Sequence, residues 1–172
     1  WMGNCPCTPG DGRWKGHLRY ALERIAALLD QVYERSAGAY VRDPWELRKQ
    51  YIHVLLGQTN VEELLAEAAG TRLPADVVVR MHMLLESQRE RQRMFTSCGW
   101  FFEDFDRIEP KNNVAYAAQA VRLLRMATGV DISDDAMSNL RRVSSQRSML
   151  RADMVFYRHL QRAIKDGRMI AG

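Results

Sequence analysis

From Trp14 onward, apolar residues recur in steps of three and four: Leu18, Leu22, Ile25, Leu28, Leu29 and Val32. That spacing lays their side chains along one stripe of a helix. It predicts a helix from Trp14 to about Ser36 that frays near Gly38. Asp43-Pro44-Trp45-Glu46 then reads as a helix start. Asp43 can cap, Pro44 has no N–H to leave unpaired, and Glu46 can reach back to the cap. This second helix is expected to carry Trp45, Tyr51, Ile52, Leu55 and Leu56 inward and to stop near Gly57. Thr59 with Glu62 repeats the capping-box pattern, and Gly70 is placed to end that short helix.

Pro74 opens the next element, whose Val77, Val78, Met81, Leu84 and Leu85 form a buried face, with polar turns on to Phe95. Gly99 breaks the pattern. After Pro110 an alanine-rich helix carries Val114, Ala117, Ala118, Val121 and Leu124 up to Gly129. Ser133-Asp134-Asp135 starts another, with Met137, Leu140 and Val143. A last helix places Leu150, Met154, Tyr157, Leu160 and Ile164 inward and closes at Asp166-Gly167. The only β-branched triplet, Val77-Val78-Val79, lies inside a helical stripe, and no repeat of solenoid length occurs. The pattern predicts an all-α bundle of about six to eight helices, mostly antiparallel neighbours because the connections are short. Residues 1–13 form an irregular N-terminal segment, and 14–172 the helical bundle.

Composition narrows the class. The chain has 172 residues, of which 47% are hydrophobic and 27% charged, as in an ordinary globular domain. No apolar run approaches the roughly 18 residues that span a bilayer. Three cysteines, Cys5, Cys7 and Cys98, do not make a disulfide framework and suit a reducing cytoplasm. The first residue is Trp1, which suggests a piece of a longer polypeptide, and Met2–Cys5 is a poor acylation signal because Cys7 stands where Ser or Thr belongs. The net charge of +4 is spread out. Arg89, Arg91 and Arg93 read as a solvated helix face, with no reader motif for nucleic acid.

Site chemistry has few candidates. Cys5-x-Cys7 lacks the second matched pair of a zinc site, and His17, His53, His82 and His159 each stand alone, so no metal and no cofactor are expected. Cys98 lacks a protease signature. The stretch TSCGWFFEDFD (96–106) is different, because three consecutive aromatics precede a run of acids. Aromatic faces stack on the C–H faces of sugars, and carboxylates accept from sugar hydroxyls. The competing reading is that Trp100 and Phe102 are core and the acids are merely solvated.

The same stretch carries a resemblance. TSCGWFFEDFDRIEPKNNVAYAAQAVRLL (96–124) resembles a segment in the helical C-terminal region of proteins related to glycoside hydrolase family 57. CPCTPGDGRWKGHLRYAL (5–22) and YVRDPWELRKQYI (40–52) are similar to two further stretches of that region, so the likeness covers most of residues 1–125. Arg107 stands where the family often has Ser-Gly, and Pro110-Lys111 also departs from the usual residues. The resemblance implies a helical domain that follows an amylase- or mannosidase-like catalytic barrel in the same polypeptide, with the catalytic carboxylates in the barrel. It implies that Trp100, with Phe101, Cys98, Glu103 and Asp104, lines a substrate cleft for an oligosaccharide. In that picture the indole stacks outward, the acids bind hydroxyls and Arg107 pairs with one of them, while no residue here is catalytic. The rival reading is a sugar-independent scaffold for another protein, for which nine methionines supply adaptable apolar surface. An outward Trp100 favours the cleft wall, and a buried one favours the scaffold.

Overall fold

The structure is a computed structural model that describes the backbone of residues 12–170 and the side chains of residues 12–161. The cysteines at 5 and 7 and the acylation-like stretch lie outside the described residues. Seven α-helices make up the described fold: α1 (Arg13–Ala37), α2 (Pro44–Leu55), α3 (Val61–Ala69), α4 (Ala75–Arg93), α5 (Ile108–Thr128), α6 (Ser133–Leu140) and α7 (Ala152–Ile170). A short 3₁₀ turn, Ser97–Trp100, joins α4 to α5. The fold is all-α. Among the described residues the only β pairing is an isolated bridge between Ser144 and Arg151.

α1 supplies the spine. Leu18, Leu22, Ile25 and Leu29 are fully buried on its expected stripe. α4 and α5 share the most extensive interface, and α7 packs on α5. The small face of α5, with Ala117, Ala118, Ala120 and Val121, is buried and lets its neighbours approach closely. Ser87 stitches the pair by donating from its buried hydroxyl to the Ala120 carbonyl at 2.8 Å.

Several helix ends form as their residue types dictate, and others shift. Asp43 Oδ1 accepts from the N–H groups of Trp45 and Glu46, at 3.0 and 2.9 Å, so α2 is capped as expected. Glu46 does not reach back; its carboxylate accepts instead from Lys49 and Gln50. Asn60, not Thr59, caps α3 by accepting from Glu63 N–H, and Gly70 ends it in the left-handed region. α5 begins at Ile108, two residues before Pro110, because proline fits any position of a first turn where no N–H is owed to the helix. α7 continues through Asp166-Gly167 rather than closing there.

Two buried stripes differ from the expected ones. On α2, Leu47 and Tyr51 are buried, whereas Ile52, Leu55 and Leu56 are substantially exposed. α2 is an edge helix, and its neighbours α1, α3 and α4 cover only the Leu47–Tyr51 side. On α7, Met154 and Tyr157 face out, and Ala152, Val155, Phe156 and Leu160 face in. Leu160 is thus buried as expected and Leu150 packs partly buried on the core, Val155 and Phe156 take the places expected of Met154 and Tyr157, and the Ile164 side chain lies outside the described residues.

Candidate functional site

The chain leaves α4 through Met94, which is fully buried. Phe95 and Thr96 close the end of the helix with N–H bonds to the carbonyls of Gln92 and Arg93. Asn113 on α5 then clamps the corner. Its Nδ2 donates to the Thr96 carbonyl at 3.1 Å, and its Oδ1 accepts from the Thr96 hydroxyl at 2.8 Å. Gly99 lies directly on this amide. A Cβ added there would sit 2.3 Å from Nδ2, so only glycine permits the approach.

Beyond the 3₁₀ turn the five expected site residues separate into two groups. Trp100 is only 4% exposed and Asp104 only 6%. Phe101 is 50% exposed, Cys98 is an exposed free thiol, and Glu103 is half-buried. The expectation of an outward indole is therefore corrected. The 3₁₀ turn points Trp100 into the bundle and leaves Phe101, the next residue, on the surface. Asp104 is likewise a strut. Its Oδ1 accepts from Asp106 N–H at 3.2 Å, and its Oδ2 from Arg147 N–H at 3.3 Å, which leaves little of the carboxylate for a ligand.

The rest of the corner is braced from two other elements. Trp14, at the start of α1, donates its indole N–H to the Glu103 carbonyl at 3.2 Å. The same indole lies 6.1 Å from the fully buried Phe105 ring. From the 144–151 loop, Arg147 Nη1 stands 3.5 Å from Glu103 Oε1. Ser145 Oγ holds that loop by accepting from the N–H groups of Arg147 and Ser148. Arg107 does not pair with Glu103 or Asp104; its guanidinium lies 4.9 Å from the Phe102 ring centre. The partner that sequence reasoning missed is Arg147. It is 44 residues away from Glu103, and no local pattern marks it.

Exposed apolar side chains collect on these braced segments. Ile108 is 65% exposed and Met149 76%, in addition to Phe101. Met149 also holds φ = +57°, a backbone region that costs a non-glycine residue about 1–2 kcal/mol. The loop thus keeps an unfavourable conformation while presenting a large apolar side chain to solvent.

Elsewhere the candidates disperse. Arg89, Arg91 and Arg93 each hold a carboxylate: Glu86, Asp30 and Glu90 respectively. Such pairing suits a neutralised helix face better than a phosphate track. Among the described residues no three His, Cys, Asp or Glu side chains are placed to hold a metal ion. No described helix is long and apolar enough to cross a membrane. Tyr51 donates to Glu86, and His82 Nε2 lies 3.1 Å from the Tyr51 hydroxyl. Burial, followed by the neighbouring Glu86, pushes the Tyr51 phenol well above its ordinary range, so it stays protonated and acts as a donor.

Comparison with known proteins gives one match. No curated protein and no solved structure matches the chain. A family model described as a domain of unknown function (DUF3536) covers residues 11–171, nearly all of this helical bundle, and the chain belongs to that family.

Proposed function

We propose that this domain is a helical accessory unit of a family 57-like glycoside hydrolase. In this reading it packs on the catalytic barrel of the same polypeptide and borders the carbohydrate cleft, without being catalytic alone. The observation that carries it is the half-exposed Phe101 on a corner whose backbone is tied down from α1, α5 and the 144–151 loop. An exposed aromatic ring on a braced corner suits stacking or docking, because the backbone that carries it needs little further ordering on binding. The resemblance of residues 96–124 to the helical region of such proteins supplies the identity of the partner. Ile108 and Met149 are the apolar contacts suited to the barrel. Phe101, Cys98 and Glu103 form the edge suited to sugar, with Trp100 and Asp104 holding that edge in place.

The experiment mixes this chain with the separately produced barrel of the polypeptide that carries it. Sedimentation should show a complex that Ile108→Glu with Met149→Glu dissolves. The complex should hydrolyse or bind oligosaccharide better than the barrel alone, and Phe101→Ala should reduce that gain while leaving the complex intact. Absence of a complex, or one indifferent to both surface charges, refutes the proposal. A second reading, a protein-interaction scaffold with no sugar site, is favoured by the burial of Trp100 and Asp104. It expects the complex to form and Phe101→Ala to leave every sugar measurement unchanged.

A further inference from the structure

A groove of about 330 Å³ runs between α2 and α4, lined by Arg48, Lys49, Ile52, Leu55, Leu85 and Arg89 among others. It shares no lining residue with the 96–109 corner. Its apolar floor is where the amphipathic pattern failed: Ile52 and Leu55 have the spacing of core residues yet remain 49% and 41% exposed. Three cations line it, and the Glu86 carboxylate bonds two of its lining residues, Tyr51 and Arg89. Lys49 and Arg89 each have a carboxylate on their own helix, Glu46 and Glu86. Arg48 does not. Half-buried, it rests 4.9 Å from the centre of the Trp45 ring and donates to Gln88 Oε1 at 3.0 Å. Among the described residues no carboxylate pairs with it. Gln88 is itself wholly buried, and its Nε2 has no hydrogen-bond partner.

A half-buried guanidinium without a counter-ion is costly, and a carboxylate in the groove relieves it, while Gln88, buried beneath and outside the groove lining, only orients Arg48. The flat guanidinium is already oriented by the indole and the amide, so little ordering remains to be done on binding. We propose that this groove docks an acidic, apolar peptide segment of a partner protein, with a carboxylate seated on Arg48 and an aliphatic side chain against Ile52 and Leu55. This inference is independent of the proposed barrel contact.

The test uses the full chain and fluorescein-labelled helical peptides with leucine at i, i+3 and i+7 and glutamate between. Anisotropy should show binding of the acidic peptide, and its Glu→Gln counterpart should bind about tenfold more weakly, the worth of one charge-assisted contact. Arg48→Gln should weaken the acidic peptide by about the same factor and leave the glutamine peptide unchanged. Leu55→Asp, at an exposed position, should weaken both. In ¹⁵N spectra the Gln88 side-chain amide should shift on binding, which a merely structural Arg48 does not require. If circular dichroism shows Arg48→Gln misfolded, Arg48→Lys and Leu55→Asp carry the comparison. The proposal is overturned by no binding at millimolar peptide, by equal binding of the two peptides, or by spectral shifts that map outside α2 and α4. Equally strong competition by a single-stranded oligonucleotide would also overturn it, as that outcome marks a general polyanion surface.

Discussion

Gly99→Ala tests the clamp that shapes the 96–109 corner. The added methyl would lie 2.3 Å from Asn113 Nδ2, 2.7 Å from Cγ and 3.0 Å from Oδ1. Real Cβ contacts do not come this close, so the amide must move. Asn113 is 1% exposed and sits in the second turn of α5, packed against the 3₁₀ turn. It cannot move without losing its two hydrogen bonds to Thr96. Thr96 is exposed and can turn to water, but the displaced amide stays inside. Leaving a buried polar group unsatisfied costs about 1–3 kcal/mol, and overpacking adds about 1–3 kcal/mol. The expected loss is therefore about 2–6 kcal/mol, read as a lower urea midpoint at unchanged slope. For a domain of this size that corresponds to a fall in Tm of roughly 4–24 °C. Asn113→Ala should cost only about 1–2 kcal/mol, since no clash is made and the exposed Thr96 rehydrates. In that background Gly99→Ala should become nearly neutral, because the obstructing atoms are gone. A single variant within about 0.5 kcal/mol of the parent would refute the clamp. So would a penalty that persists undiminished in the double variant.

Other expected outcomes follow from the same contacts. Asp43→Ala removes the acceptor for two N–H groups of α2 and should destabilise by about 1 kcal/mol, with Asp43→Asn recovering most of it in urea melts. Trp14→Phe keeps a ring beside Phe105 but deletes the bond to the Glu103 carbonyl. It should cost about 1 kcal/mol and speed amide exchange across 101–106. At α3, the Thr59 hydroxyl donates to Glu63 Oε2 at 2.9 Å. That bond, with help from Asn60, lowers the Glu63 pKa. A lowered carboxyl pKa favours the folded state above the ordinary glutamate range, and the benefit fades as the pH falls through the folded-state value. Helix-end exchange at 61–64 should accelerate in acid, and Glu63→Gln should flatten that dependence.

Period-three-and-four spacing of Leu18, Leu22, Ile25 and Leu29, with Asp43-Pro44 and Gly70 as punctuation, was enough to read an all-α bundle and most of its helix boundaries, because periodicity and capping are local properties of the chain. What covers each face is not local. Ile52 and Leu55 have core spacing and remain exposed because no neighbouring helix reaches that side of α2. In TSCGWFFEDFD the composition marked a special corner but not its orientation. One 3₁₀ turn decides that Trp100 faces the bundle and Phe101 the solvent, and Arg147, far along the chain, decides that Asp104 is a strut. Residue order alone specified where helices start, stop and turn apolar. Only the packed structure decided which apolar groups were left outside, since burial depends on partners distant in the chain.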